Sequence, residues 1–391
     1  MSKRLIPLSE PLISGNEWQY IKRCLDTSWV SSAGSFVSGF ESAISKKFKV
    51  NYAVACINAT SGLFIALKLS GVCPGDEVIL PTLTFIAPVN AVSYQAADPV
   101  FMDCDDYMNL APEKLADFCK KECVLTSRGL KNKKSAKLIK AIIPVHVFGN
   151  PCNLEAIISI AEKYRLTVIE DAAESIGSYY TRGAYKKRFT GAIGDLGVYS
   201  FNGNKIITAG GGGMILTNNE TFAEKARYLV NQAKNDPVRY IHNEVGYNFR
   251  LNNLQSALGM AQLELLDKYI KIKKFNYDLY RNMLQGLEGL SLLDVPEGTS
   301  PNYWFYSLII DKKKLGMDRE TLMRKLTECN IQTRPLWYLN HLQKPFRKNQ
   351  SYKIEKAFWF LDRVLNIPCS TALSHADIKT VVSAIKKLQG R

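Results

Sequence analysis

One lysine lies where the sequence changes from an apolar run to a polar turn and then to glycines. Lys205 follows a short apolar segment that ends at Ser200, and four consecutive glycines occupy positions 210–213. A lysine in a partly desolvated pocket loses its charge easily and can form a Schiff base with an aldehyde. The segment is not a Walker loop, which needs Gly before the lysine and Ser or Thr after it, nor a dinucleotide-binding fingerprint. A glycine-rich hairpin with a surface lysine is the alternative.

A carboxylate follows the apolar segment at residues 166–170. Asp171 therefore stands at the carboxyl end of a predicted strand, where α/β sheets bind their ligands. A buried carboxylate in that position can keep the pyridine nitrogen of a cofactor protonated, and this proton makes pyridoxal phosphate an electron sink. Capping of a helix by Asp171 is the alternative.

Two further segments are suited to a flat, phosphorylated molecule. Thr60 and Ser61 precede a segment with helical spacing at residues 63–69, and the free N–H groups of a helix start, with two hydroxyls, can bind a phosphate. An ordinary N-cap is the alternative. Phe85 lies in a strand-to-helix turn, where an aromatic ring can stack on a flat cofactor. A Phe buried in the core is the commoner outcome.

Strand and helix signals alternate over about the first 220 residues. Alternation of this kind predicts an α/β domain, with a mainly parallel sheet sandwiched by helices. Besides the helical segment at residues 63–69, a helix is predicted at residues 154–164. The predicted strands are residues 52–57, 77–80, 100–102, 140–144, 166–170, 196–200 and 213–217.

The pattern changes near residue 251, where long helices are predicted at residues 253–274 and 276–287. A strand at residues 303–310 and helices near residues 319–328 and 376–388 complete a smaller α+β segment. We therefore predict three parts. Residues 1–30 pack with the small domain or with a partner subunit, residues 31–250 form the large domain that binds the cofactor, and residues 251–391 form the small C-terminal domain.

Composition and cysteine usage limit the class of protein. The chain is 46% hydrophobic and 22% charged, which is typical of a soluble globular protein. No apolar run approaches the roughly 20 residues of a membrane helix, and no signal segment is evident, so we expect a cytoplasmic protein without a membrane span. The nine cysteines are scattered without paired C-x-x-C motifs, and neither a disulfide framework nor a metal site is expected.

The net charge of +15 comes largely from two basic clusters, at residues 128–140 and 182–188. Both lie in polar stretches, and we predict solvated loops. Nucleic-acid binding is one explanation of the charge, but no aromatic residue interleaves the first cluster and no reader motif accompanies either, so no nucleic-acid partner is predicted. A phosphorylated small-molecule substrate suits a basic surface equally well.

Taken together and in this order, the segments resemble the DegT/DnrJ/StrS family, the pyridoxal phosphate-dependent sugar-nucleotide aminotransferases of fold type I. The resemblance covers nearly the whole chain, from residues 6–11 to residues 334–337. It is strongest at residues 200–205 (SFNGNK), 206–213 (IITAGGGG) and 246–251 (GYNFRL). These segments look most like the enzymes that aminate C4″ of UDP-4-keto-6-deoxy-N-acetylglucosamine in bacillosamine and legionaminic acid pathways.

The resemblance implies that an amino group passes from L-glutamate to the keto carbon of a nucleotide-linked sugar. The expected substrate is UDP-2-acetamido-4-keto-2,6-dideoxy-glucose. The alternatives are GDP-4-keto-6-deoxymannose, as in perosamine formation, a dTDP-3-keto sugar, or a pyridoxal-bound protein that transfers no amino group. A dehydratase of this family would carry His in place of Lys205.

The resemblance also assigns roles to residues. Lys205 would bind pyridoxal phosphate covalently and move the proton, and Asp171 would pair with the pyridinium nitrogen. Phe85 would stack on the ring. Asn248 would reach the cofactor of the neighbouring subunit, which implies a homodimer with shared active sites. The phosphate would be held by Thr60, Ser61 and Ser200.

Two positions depart from the usual family pattern. Many members have Gln where this chain has Glu174, which concerns the contact to the cofactor hydroxyl, and His where it has Asn202. The candidates for substrate contacts are assigned by residue type alone. They are Trp29 and Ser31 as a lid over the sugar, Lys22, Arg250 and Arg334 for the diphosphate, and His341 and His242 as cleft residues.

Overall fold

The computed structural model describes residues 4–389. Within that range the helices are α1 (Glu17–Asp26), α2 (Ser35–Phe48), α3 (Ala59–Leu69), α4 (Ile86–Tyr94), α5 (Pro112–Lys121), α6 (Leu154–Tyr164), α7 (Glu220–Val230), α8 (Asn253–Leu284), α9 (Lys312–Leu315), α10 (Arg319–Glu328), α11 (Lys356–Leu361) and α12 (His375–Gln389). Short 3-10 helices lie at Val147–Gly149, Asn340–Leu342 and Lys344–Phe346.

The strands of the described chain are β1 (Tyr52–Cys56), β2 (Glu77–Pro81), β3 (Asp98–Met102), β4 (Cys123–Thr126), β5 (Gly129–Asn132), β6 (Leu138–Ile142), β7 (Thr167–Asp171), β8 (Tyr179–Tyr180), β9 (Leu196–Ser200), β10 (Gly213–Thr217), β11 (Lys234–Asp236), β12 (Ile241–His242), β13 (Leu290–Leu292), β14 (Thr299–Ser300), β15 (Tyr306–Ile310), β16 (Arg334–Pro335), β17 (Ser351–Tyr352) and β18 (Val364–Ile367).

The larger sheet confirms the predicted α/β class. Its main order is β1-β10-β9-β7-β6-β2-β3-β17, and every pair from β9 to β17 is parallel, whereas β10 runs antiparallel to both of its neighbours. All residues of β2, β9 and β10 are buried, because helices cover both faces of the sheet. The parallel strands β2, β6, β7 and β9 therefore end at one edge, which brings together the residues that follow them.

A second, four-stranded antiparallel sheet has the order β13-β15-β18-β16 and a core of its own. The helix α8 contributes to both cores, since Leu263 and Leu266 belong to the first and Tyr277 and Tyr280 to the second. The prediction of two helices in this segment was wrong. No Gly or Pro interrupts residues 270–280, and a single helix of 32 residues forms.

Residues before α1 contact the chain near the second sheet. Ile6 pairs with Ile331, and the Leu8 carbonyl accepts a hydrogen bond of 2.7 Å from the Cys369 N–H. The C-terminal part of the chain also contributes a strand to the first sheet, because β17 pairs with β3 at the edge of that sheet. The predicted boundaries at residues 30 and 250 stay a prediction.

The basic cluster at residues 128–140 is not the solvated loop that was predicted. Residues 129–132 form β5, which pairs antiparallel with β4 and with the start of β6. Leu130 and Asn132 are fully buried. Burial alternates along β5, but Asn132 is polar, so Leu130 was the only large apolar residue that could signal this strand among the charges.

A buried carboxylate joins the edge of the large sheet to α11. Asp103 follows β3, and its carboxylate accepts the backbone N–H groups of Glu355, Lys356 and Ala357 at 2.8–2.9 Å. The Lys114 ammonium donates a further bond of 3.2 Å. Burial alone would raise the pKa of Asp103, but these backbone donors outweigh it and hold the pKa below its ordinary value.

We predict that Asp103→Asn lowers the free energy of unfolding at pH 7 by about 3 kcal/mol, because a buried set of charge-assisted hydrogen bonds is broken. Because the folded pKa is lowered, this contribution is present above the ordinary pKa of about 4 and disappears as the pH falls through the folded value. Urea unfolding at several pH values measures it.

The control is Asp26→Asn, which removes an exposed ion pair with Lys22 and should change stability by less than about 1 kcal/mol. A difference between wild type and Asp103→Asn that stays constant down to acid pH would contradict the charge-based explanation.

Candidate active site

The Lys205 amine lies in a turn just beyond β9, between a carboxylate and an aromatic face. Its Nζ is 3.5 Å from Oε1 of Glu174 and 3.7 Å from the ring centroid of Trp304. Only 12% of the Lys205 side chain is exposed, and Glu174 and Trp304 are buried. The alternative of a surface lysine is therefore wrong.

The proton affinities of three neighbouring groups are shifted by burial. Burial lowers the pKa of Lys205, and the charges of Glu174 and Asp171 oppose this shift. Burial also raises the pKa of Glu174 to about 7, partly offset by Lys205, and raises the pKa of Asp171. A lysine with a lowered pKa is more readily a neutral nucleophile, and shifted groups that cluster in a cleft are typical of catalytic sites.

Asp171 is the last residue of β7 and faces the same cavity as Lys205. Its Oδ1 accepts the N–H of Ala173 at 3.1 Å. The alternative of a helix cap is wrong, because the chain continues from Asp171 through turns to β8 rather than into a helix. The carboxylate thus stands at the carboxyl edge of the sheet, as its sequence position predicted.

A buried histidine and glutamate support the end of β7, and sequence reasoning missed both. Glu170 accepts N–H groups of Gly191, Ile193 and Gly194 at 2.6–2.8 Å. His146 Nδ1 accepts the N–H of Cys152 at 3.0 Å, so Nε2 carries the proton that is donated to Glu170 at 2.9 Å. The position of His146 two residues after a predicted strand was the available signal.

Asn302 links the two neighbours of the lysine and was also missed. Its fully buried amide donates to the carbonyl of Glu174 at 2.9 Å and accepts the N–H of Trp304 at 3.0 Å. Gly149 makes room for it, since a Cβ there would lie 2.0 Å from Asn302 Oδ1, and its φ is +91°. The neighbouring Phe148 N–H donates to Glu174 Oε2 at 2.8 Å.

The start of α3 forms one side of the site. The N-cap of α3 is Asn58, which accepts the Ser61 N–H at 2.8 Å, whereas Thr60 and Ser61 lie in the first turn of the helix. Thr60 faces the cavity, whereas Ser61 faces a separate groove beside Phe64. Gly213 allows β10 to approach, since a Cβ at this position would lie 2.6 Å from the backbone of Asn58.

A cavity of about 690 Å³ opens above these groups, which is the size of a small-molecule site. Phe85, Trp304, Phe305 and Trp337 form an aromatic wall around it. Phe85 is 52% exposed in the single chain, so the alternative of a core Phe is wrong. The predicted residues that line the cavity are Thr60, Phe85, Asp171, Glu174, Ser200, Asn202, Lys205 and Arg334.

Two residues that were predicted to contact the cofactor or the substrate, Asn248 and Arg250, follow β12 and lie outside the cavity of their own chain. Asn248 is exposed, and its backbone pairs with Asn231. Arg250 keeps a buried Nε that finds no hydrogen-bond partner among the described residues. The contact of Asn248 with a partner's cofactor and that of Arg250 with a diphosphate stay predictions.

The remaining substrate candidates are also outside the cavity lining. Trp29 and Ser31 lie in the loop between α1 and α2, where their carbonyls accept hydrogen bonds from Asn253. His341 Nδ1 lies 2.7 Å from Oγ1 of Thr82, in a packed environment. Lys22 pairs with Asp26 and His242 bonds to the Gln232 carbonyl.

A metal site and a membrane span were predicted to be absent. In residues 4–389, no three or more His, Cys, Asp or Glu side chains come together as a metal site would require. In the same part of the chain, no helix has the length and apolarity needed to cross a bilayer.

Known proteins resemble the chain over nearly its full length. It is 35% identical to the GDP-perosamine synthase of Caulobacter vibrioides and 34% identical to that of Escherichia coli O157:H7, over 98% of each chain. The crystal structure of the aminotransferase TlmJ from Streptoalloteichus hindustanus superposes with a TM-score of 0.87, at 25% identity, over 99% of both chains.

These matches confirm the predicted fold type I aminotransferase architecture and the predicted dependence on pyridoxal phosphate. The model of the DegT/DnrJ/EryC1/StrS aminotransferase family matches residues 11–386. A site with a buried lysine at the carboxyl edge of a mainly parallel sheet, together with this match, identifies the chain as a member of the DegT/DnrJ/EryC1/StrS aminotransferase family.

Proposed function

We propose that the protein transfers an amino group from L-glutamate to the 4-keto carbon of a nucleotide-linked 6-deoxy sugar. The observation that carries the proposal is the buried Lys205 amine, which lies 3.5 Å from Glu174 in a cavity that Asp171 also lines. An amine that can hold the cofactor and a carboxylate that can pair with its pyridine nitrogen are the groups that amino transfer with pyridoxal phosphate requires.

The residues of the cavity fit pyridoxal phosphate. Lys205 would hold it covalently, and Asp171 would keep the proton on its pyridine nitrogen. Thr60 and Ser200 lie near the start of α3, where a phosphate is favoured, and Phe85 is open to stack on a ring. When bound, the cofactor supplies an electron sink that stabilises negative charge on the carbon from which a proton leaves.

The chain's own residues then move the proton. Burial lowers the pKa of Lys205, which makes it easier to form the neutral amine that takes a proton from the substrate carbon and returns it. Glu174, with a pKa of about 7, can share that proton at physiological pH. Trp304 covers the amine and excludes water from it. Glutamate and the keto sugar use the site in turn, so the kinetics are ping-pong.

The identity of the sugar rests on two different observations. Two relatives of 34–35% identity over 98% of the chain are named GDP-perosamine synthases, which favours GDP-4-keto-6-deoxymannose. Resemblance of residues 200–205, 206–213 and 246–251 favours UDP-2-acetamido-4-keto-2,6-dideoxy-glucose. We place the GDP sugar first because full-length identity outweighs three short segments, and the UDP sugar stays the second candidate. The exposed guanidinium of Arg334 in the cavity supports an anionic, nucleotide-linked substrate.

We further propose that the enzyme acts as a homodimer in the cytoplasm. Asn248 is exposed and cannot complete the cavity of its own chain, which supports a contribution to a partner's site. The nine cysteines are all free, and most are buried, which supports a reducing compartment.

The first test concerns Lys205. Borohydride treatment of the protein loaded with pyridoxal phosphate should attach the cofactor to the peptide that contains Lys205, detected by mass spectrometry. Lys205→Ala should lower kcat by about a thousandfold, because it removes the group that moves the proton. Lys313→Ala, at an exposed position of α9, is the control and should keep full activity. Labelling at Lys273, which is also buried, would refute the assignment.

The second test concerns the substrate. With L-glutamate as donor, kcat/KM for GDP-4-keto-6-deoxymannose should exceed that for the UDP sugar by at least about tenfold, or about 1.4 kcal/mol of transition-state binding. Mass spectrometry of the product, with 2-oxoglutarate as by-product, measures both. The reverse preference would restore the UDP sugar to first place. Absence of amino transfer to every keto sugar, from protein that binds the cofactor, would refute the aminotransferase proposal.

The third test concerns the shared site. If Asn248 contacts the partner's cofactor, a heterodimer of Lys205→Ala and Asn248→Ala chains has one site with both natural residues. Random mixing of the two inactive proteins should therefore restore roughly a quarter of the wild-type activity. Mixing Lys205→Ala with Asp171→Asn is the control, since both residues line the same cavity. A fully active monomer would contradict the proposal.

A further inference from the structure

The segment from Lys120 to Lys140 carries a charge that the active site does not use. Its 21 residues hold eight basic side chains and one acidic side chain, a net charge of +7 out of +15 for the whole chain. Lys121 pairs with Asp117 and Lys137 with Asp98. The six remaining cations have no ion pair with any residue between 4 and 389. They are Lys120, Arg128, Lys131, Lys133, Lys134 and Lys140.

Four of these cations, Arg128, Lys131, Lys133 and Lys134, lie on a fixed element. We call it the basic hairpin and define it as β4, β5 and the turns that join β4 to β5 and β5 to β6. Asn132 anchors it, because its buried amide donates to Glu77 at 2.7 Å and to Gln350 at 2.8 Å. The Lys133 N–H also bonds to the carbonyl of Glu122 at 2.8 Å. Cations held on a rigid sheet lose little conformational entropy when they meet a surface.

Apolar side chains accompany the cations. Val124 and Leu125 on β4 are 46% and 42% exposed. Val124 lies opposite Lys131, which in turn lies opposite Leu138, so an apolar, a basic and an apolar side chain share one face across three strands. Sheet edges are usually protected by charge, but no charged residue lies in β4 itself. Protection of the edge therefore does not explain the pattern.

We propose that the basic hairpin is a docking surface for an anionic lipid bilayer. Lysines near such a surface are attracted by its negative potential, and exposed aliphatic side chains between them can enter the headgroup region. Nucleic acid fits less well, because residues 120–140 contain no aromatic ring on which a base could stack. The basic hairpin is suited to a broad negative surface with an apolar layer beneath it.

Docking through this surface leaves the active site open. The basic hairpin joins the sheet at the amino end of β6, whereas the catalytic cavity lies beyond the carboxyl end of that strand, where Val145 is part of its lining. The two functions are therefore at opposite ends of one strand, and changes in the hairpin should leave amino transfer intact.

The test measures co-sedimentation of the full-length, cofactor-loaded enzyme with vesicles. Vesicles of phosphatidylcholine alone are compared with vesicles that contain about one phosphatidylglycerol in three lipids. Wild type should bind the anionic vesicles and not the neutral ones. The double variant Lys131→Glu, Lys134→Glu should lose at least about tenfold in binding and keep its activity and unfolding temperature. Val124→Ser, on the face of the hairpin that carries Lys131, should weaken binding at unchanged charge.

The matched control is Lys313→Glu with Lys314→Glu, two exposed lysines on α9 whose reversal changes the net charge equally. It should bind within about twofold of wild type. An equal loss in the control and in the hairpin variant would overturn the proposal in favour of general charge attraction. Absence of binding to anionic vesicles would also overturn it, as would salt-sensitive retention on DNA in place of vesicle binding.

Discussion

Burial of a single primary amine is the constraint on which the active-site half of the molecule depends. Removing an ammonium from water is costly unless a carboxylate accompanies it, and Glu174 supplies that carboxylate to Lys205 at 3.5 Å. The indole of Trp304 closes the other side. The three groups come from distant parts of the chain, so the lysine is buried only when both sheets are assembled.

Hydrogen bonds from uncharged groups keep Glu174 and Trp304 in place beside the lysine. Asn302 bonds to the backbone of both Glu174 and Trp304, and Phe148 donates its N–H to the carboxylate. Backbone donors and one amide fix the geometry, whereas Lys205 and Glu174 are the groups whose pKa values burial shifts towards each other. A site that must exchange protons near neutral pH gains from this separation, because the groups that position are not the groups that titrate.

Local sequence patterns were sufficient to locate the residues whose position depends on the end of a strand. Asp171 and Ser200 were placed correctly because a parallel strand delivers the residue at its carboxyl end to the ligand edge. Trp304 and Asn302 could not be found in this way, since they lie about 100 residues beyond Lys205 and reach it only through tertiary packing. Charge also misled, because the lysines of residues 128–140 concealed the strand signal of Leu130.

The strand β6 connects the basic hairpin with the active site. The amino end of this strand carries the basic hairpin. Its carboxyl end leads to Val145 and His146, which support the carboxyl end of β7. His146 and Glu170 are fully buried, and their hydrogen bonds hold the strand end rigidly. No residue of the basic hairpin lines the catalytic cavity, and the length of β6 separates the two. The residues of the surface at its amino end can therefore vary while the amine and carboxylates beyond its carboxyl end keep their positions.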